Sequence, residues 1–443
     1  MSGSIAAIGH PMSRVLARVL LCGAFGAACA PSRPAPAPPA EQPAVSATDR
    51  TIPSNLSPAL AQRFLQQSLT AEARGLAEPF RGITTDGRVR EGLFPVRAIG
   101  VSAAPVRAAA EAFLQSLSPA QRTRALFAVD DPEWRGWMNQ HFYVRRGVGF
   151  GEMTEAQREA AFGLLRASLS AKGLQLSRDI MRRNRTLAEL NDNDLEQYGE
   201  WLYWITLMGT LSATEPWGWQ IDGHHLIINY FVLGEQVVMT PSFFGSEPVV
   251  ATSGEYAGTA ILQAEQDKGL ASMQSLDAAQ RAQAIVWTGK TGKTGKTGND
   301  NVSEAFRDNV ALDFAGNRAT ALSPAQREQL LELVHEFVGN LRDPHATVHM
   351  MDVRAHLDDT YFAWIGGTET TSVFYYRVHS PVLLIEFDHQ LPVAIRHLFP
   401  GERRPVRQHI HAVIRTPNGN DYGADLLRQH HDAHPHPHRH RHG

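Results

Sequence analysis

Past residue 29 the chain has no cysteine: its two, Cys22 and Cys29, both lie near the start. The mature body therefore has no disulfide, no thiol nucleophile and no Cys-based metal site. A body of this length can bury enough apolar surface without such staples. Lysine is almost as scarce, with five residues, three of them in one short repeat; arginine carries the remaining positive charge. Neither sign of charge dominates. With 42 Lys+Arg against 45 Asp+Glu and a net charge of -3, charge makes no general case for nucleic-acid binding. No apolar run reaches the roughly 20 residues of a membrane-spanning helix. At 43% hydrophobic and 20% charged, the composition excludes a wholly disordered, collagen-like or multi-span membrane chain.

What is present begins with an export signal. Arg14 and Arg18 precede the apolar run from Val19 to Ala28, and Gly26-Ala27-Ala28-Cys29 resembles a lipobox that lacks the usual Leu three positions before the Cys. The expectation is a signal peptide over 1–29, of lipoprotein type if Cys29 is lipidated. The protein would be exported, periplasmic or lipid-anchored to a bacterial envelope, touching membrane only through Cys29. Residues 30–52 read as a Pro/Ala-rich tether with too few large apolar residues for a core. A single globular domain over 53–432 follows, with a low-complexity insertion at 288–298. The insertion repeats Thr-Gly-Lys every three residues. A phosphate loop needs glycines five apart, whereas these are three or six apart, so it reads as a flexible surface insertion. The His-rich tail, 433–443, alternates with Pro and Arg and would capture metal only loosely.

One helix-start signal recurs four times, at Ser118, Thr154, Asp277 and Ser323. Each is an N-capping oxygen three residues before a Gln. The irregular spacing of the copies suggests repeated helix grammar rather than a solenoid. A further helix is expected over Leu195–Leu211, around Trp201, Tyr203 and Trp204. After Trp217 β-branched and aromatic residues dominate. They suggest a hairpin from His224 to Thr240 and strands near Tyr361–Ile365, Val373–His379, Val382–Asp388 and His409–Arg415. The fold class expected is α+β, a helical N-terminal half packed on a largely antiparallel C-terminal sheet.

Four constellations carry candidate chemistry. Trp217-Gly218-Trp219 leads into Gly223-His224-His225; if this opens a strand the two histidines face opposite sides, so one could ligate a metal while the other is structural. Glu247 sits in the apolar loop Thr240–Pro248 as an acid or base, or else as a helix cap. Glu386 and Asp388 share one face of a strand, with Leu383, Ile385 and Phe387 on the other. Their repulsion calls for a metal, an Arg or an acid/base role. His409, His411 and Arg415 share a strand face, and His-x-His aims two imidazoles at one metal. The third ligand would be His224, Glu386 or Asp388. Arg415 would hold an anionic substrate group, and Trp217, Trp219, His225, Trp364 and Asp421 would line the pocket.

Together these motifs resemble the domain-of-unknown-function family 3500. The resemblance runs from Pro79-Phe80-Arg81-Gly82 to Leu426-Leu427-Arg428-Gln429-His430 and includes Asn420-Asp421-Tyr422-Gly423. It implies one domain and brings no activity with it. Members of that family have a short link between Glu-x-Asp and His-x-His, whereas here Gln390–Gln408 intervenes. Two functions remain open. One is an exported enzyme, hydrolase or oxidoreductase, with one divalent metal (Zn, Cu, Fe or Mn) acting on a small or anionic molecule. The other is a non-catalytic periplasmic ligand-binding or scaffold protein.

Overall fold

The computed structural model describes Arg50, residues 56–290 and residues 301–434. The expected signal peptide with Cys29, nearly all of the tether, the greater part of the Thr-Gly-Lys repeat and the tail beyond His434 lie outside the described residues.

All four start signals open helices: Pro119–Ala125, Glu155–Ser168, Ala278–Ala284 and Pro324–Val338, each with a complete capping box. The boxes also work in pairs. Gln157 Nε2 donates to Gln121 Oε1 at 2.8 Å across 36 positions, and Gln280 Nε2 to Gln326 Oε1 at 3.0 Å across 46. A glutamine that caps its own helix thus also ties one helix start to another.

The strands are β1 (Leu126–Phe127), β2 (Val148–Gly149), β3 (Tyr203–Gly209), β4 (Trp217–Gly223), β5 (Leu226–Leu233), β6 (Gln236–Val238), β7 (Ser242–Ser246), β8 (Ile285–Trp287), β9 (Asn317–Arg318), β10 (Tyr361–Gly366), β11 (Phe374–His379), β12 (Leu384–His389) and β13 (Ile410–Arg415). They form one sheet in the order β1-β3-β4-β5-β7-β13-β12-β11-β10-β8, with β2 on β3, β6 on β5 and β9 on β10. Only the β1–β3 and β8–β10 pairs are parallel. The fold is α+β with a largely antiparallel sheet, but helices also occupy the C-terminal half, at Gln263–Gln274 and Asp343–Ala355 among others.

The strand order is close to a palindrome about the β7–β13 pair. Each half runs through a capped short helix, a parallel edge strand, a short bridging strand and a second capped helix before its antiparallel strands. The repeated start signals therefore mark two copies of one layout. The wider spacing of the second pair accommodates the Thr-Gly-Lys insertion.

One expected helix is absent. Leu195–Leu211 is not a helix; Tyr203–Gly209 is β3, paired with β4 from Tyr203↔Gly223 to Gly209↔Trp217. Both faces of β3 are covered, so its apolar residues run continuously and give no period-two signal.

The two faces of the sheet differ. Ile205, Leu207, Trp217, Trp219, Ile228, Tyr230, Phe244, Trp364, Tyr376, Ile385, Phe387, Ala412 and Ile414 belong to the main apolar core, with residues of the long helices. The opposite face holds Asp222, Gln220, Asn229, Glu386, Asp388, His411 and Arg415, all buried, beside a smaller cluster of Trp134, Trp137, Phe231, Phe243 and Tyr422. Buried polar groups on this scale require internal partners.

Candidate metal centre

β12 and β13 are antiparallel neighbours, with Asp388 opposite His411, Glu386 opposite Val413 and Leu384 opposite Arg415. Directly opposed residues project from the same face. Gln390–Gln408 is therefore the loop joining two adjacent strands. On the other side β13 meets β7, with Gly245 opposite His411. A side chain at Gly245 would meet the Ile410 carbonyl oxygen at 2.8 Å and His225 Cδ2 at 3.2 Å. Glycine here lets the His225 ring lie against the strand.

His224 and His225 do not open a strand. They form the turn between β4 and β5, whose ends pair as Gly223↔Leu226. His225 has φ +64°, unusual for a residue with a side chain. Its N–H donates to the Asn139 carbonyl (3.2 Å), and its carbonyl accepts from the Gly245 N–H (2.8 Å). This geometry turns His225 toward β13.

His225 Nε2 lies 3.2 Å from His411 Nε2, which lies 3.1 Å from His409 Nε2. The ligand atoms of all three lie within 4.8 Å of one another. The rings are buried, at 6%, 4% and 5% exposure for His225, His409 and His411. His409 Nδ1 is 2.6 Å from the Leu391 carbonyl oxygen, and His411 Nδ1 is 2.9 Å from Glu304 Oε1. A carbonyl or carboxylate oxygen only accepts, so both Nδ1 atoms carry the proton. In the neutral rings both Nε2 atoms then present lone pairs to each other at 3.1 Å. Two lone pairs at that distance repel unless a proton or a metal cation lies between them. Burial, then the neighbouring His409 and His224, hold His411 well below the usual histidine range, which opposes a proton on that ring's Nε2. Burial, then His411 and His409, do the same to His225. Nitrogens bound tetrahedrally at 2.0–2.1 Å from one ion would be about 3.3 Å apart, close to the two short separations here. The three histidines could hold a metal ion.

The other residues singled out in the sequence lie around or away from this trio. His224 stacks on His225 with ring centroids 4.0 Å apart, and its Nδ1 bonds Asn184 Oδ1 at 2.8 Å; it is outside the trio. Glu247 Oε2 is 3.7 Å from His409 Nδ1, and its carboxylate accepts from the N–H groups of Val393, Ala394 and Ile395. Glu247 thereby fixes the loop that supplies Leu391. Glu386 accepts from Val302 N–H (2.9 Å), Ser303 N–H (2.9 Å), Ser303 Oγ and the Tyr375 hydroxyl (2.6 Å). It anchors the 301–313 segment rather than facing the trio. Asp388 pairs with Lys290 Nζ at 2.6 Å, both nearly inaccessible. The first lysine of the Thr-Gly-Lys repeat is thus a buried counter-ion and not part of a surface insertion.

Arg415 is fully buried and holds Asp308 (2.8 Å), Asp421 (3.2 Å), the Ser303 carbonyl (3.0 Å) and the Glu304 carbonyl (3.0 Å). Asp421 also accepts from Thr416 N–H at 2.7 Å. With these partners Arg415 and Asp421 form an internal anchor, not a substrate clamp. Trp217, Trp219 and Trp364 are inaccessible on the helix-covered face and form core instead of pocket wall. Sequence reasoning missed Glu304, Leu391 and Lys290 as neighbours of the histidines, because only long-range pairing brings them there.

A narrow crevice beside His225 is lined by Ile180, Arg183, Asn184, Leu187, His224, Ser246 and Glu247, and has no room for a water molecule. A cavity of about 290 Å³ borders Met239, His345, His349 and Thr416 and includes none of the trio.

A family profile described as "Protein of unknown function (DUF3500)" matches residues 99–424, which include all three histidines and Glu304. No curated protein and no solved structure matches the chain.

Proposed function

We propose, for a chain that belongs to the DUF3500 family and takes no activity from it, that it is a metal-dependent enzyme with one divalent ion bound by His225, His409 and His411. The observation that supports this reading is the convergence of three buried Nε2 atoms, two of them on rings whose Nδ1 protons are already committed to Leu391 and Glu304. Three protein ligands leave a coordination position for water or substrate, whereas structural zinc sites are closed by four. An all-imidazole set suits Zn, Cu or Fe better than Mn. The ion would supply Lewis acidity and a bound water of lowered pKa, which makes hydrolysis the leading reaction class. The same proposal puts this activity outside the cytoplasm, on the export signal expected from residues 1–29.

The narrowness of the crevice favours a second reading, a non-catalytic protein whose ion only fastens the sheet. Metal analysis of protein lacking Ala433–Gly443 tests both, since the tail alone would bind metal. The enzyme reading expects one ion per chain and, with Co(II), a visible spectrum that shifts when small ligands are added. One ion with a spectrum indifferent to every added ligand favours the fastener. No stoichiometric ion, with the fold intact, removes both.

Glu304 sets the orientation of His411 through its Nδ1. Glu304→Ala is expected to weaken metal binding about 10–100-fold, the usual effect of losing such a partner. A competition titration against a chromophoric chelator measures it, and unchanged affinity would deny Glu304 that role.

A further inference from the structure

Arg183, on the helix Ala171–Leu190, is 2% exposed. Its Nη2 donates to the Tyr256 carbonyl at 3.2 Å, while Nε and Nη1 are buried without a hydrogen-bond partner. Among the described residues it has no carboxylate within ion-pair distance, unlike the buried Arg50, Arg135, Arg145, Arg146 and Arg415, which face Glu72, Asp308, Asp222, Glu133 and the Asp308/Asp421 pair. Asp179, one helical turn earlier, pairs with Arg182 instead. A desolvated cation without an anion is strongly unfavourable. Arg183 lines the crevice that His225 and Glu247 also line, and the Glu247 carboxylate is occupied by three backbone N–H groups.

We infer that Arg183 anchors an oxyanion, the carboxylate or phosphate group of the substrate, beside the His225 side of the metal centre. The inference rests on the metal-enzyme reading and gives it a substrate class. It also moves the anion-holding role expected of Arg415 to a guanidinium that has donors to offer. A planar guanidinium suits oxyanions, and a charged acceptor bonds it more strongly than the Tyr256 carbonyl does. An incoming oxyanion would therefore compete with that carbonyl for the guanidinium.

The test uses the full-length protein, with His411→Ala as the blank for metal held by the tail. The Co(II) form is titrated with acetate and with phosphate, and thermal stabilisation of the metal-free protein by the same anions is read separately. Wild type is expected to show saturable responses in both. Arg183→Met should weaken them about tenfold or more, the worth of one charge-assisted hydrogen bond, with Co(II) affinity unchanged. The anion with the larger response identifies the group. Should the Met variant not fold, Arg183→Lys keeps the cation without the planar donors and should show the same weakening. Co(II) binding with anion responses equal in wild type and variant overturns the role of Arg183 and leaves the metal centre standing. Absent Co(II) binding, with anion stabilisation that still depends on Arg183, overturns the metal centre and leaves the oxyanion site standing.

Discussion

Replacing His411 by alanine is expected to lower metal affinity by more than about 100-fold, beyond the 10–100-fold typical of losing a residue that only orients a ligand. His411 is the hub of the trio. Its Nε2 makes both short contacts, 3.2 Å to His225 and 3.1 Å to His409, so its loss leaves two donors on opposite sides of a gap. His224→Ala is the control. It removes a ring stacked on His225 and bonded to Asn184, yet leaves all three ligands, so one ion per chain should remain. Calorimetric titration of both variants without the tail decides. Equal metal content in the two would place the ion elsewhere.

The second large effect concerns stability. Arg415→Met should cost about 3–5 kcal/mol, the usual consequence of removing one partner from a buried ion cluster. Asp421 would be left inaccessible with its cation gone, and Asp308 with Arg135 alone. Burial pushes Asp308 up, but Arg415 and Arg135 more than reverse this; Asp421 is already pushed up to about 6 by burial, against the pull of Arg415. Without Arg415, both carboxyls should titrate higher. A carboxyl whose pKa is raised in the folded state favours folding at low pH and loses that contribution as pH rises through its folded value. The variant should therefore be penalised less at pH 5 than at pH 8. Urea unfolding at the two values checks both size and sign. A loss under about 1 kcal/mol would mean that Arg415 is not the anchor of this face.

Local grammar was legible where physics is local. The four capping boxes name the first residues of four helices, because an N-cap oxygen and a Gln three residues on suffice to satisfy the exposed N–H groups. Alternation in Glu386–Asp388 and His411–Arg415 gave the correct shared face once the strands paired. It misled at β3, which is covered on both sides, and at His224–His225. There the assumption of a strand start assigned the ligand role to His224, while the positive φ of His225 in a turn directs that ring to the centre. Tryptophans read as pocket wall were core, since aromatic clusters near histidines fill either environment. Glu304 and Lys290 had no signal to read. Lys290 lies in the Thr-Gly-Lys repeat and Glu304 just beyond it, far in sequence from β13, and only the sheet face brings them near His411.

The palindromic sheet has one seam, β7 against β13, and the histidines straddle it: His225 belongs to the first half and His409 and His411 to the second. Contacting donors are 186 positions apart in the chain. A ribosome must therefore finish nearly the whole polypeptide before the three nitrogens can meet. Assembly of the trio therefore waits on the last strand, and a product truncated before that strand lacks His411 and has no trio.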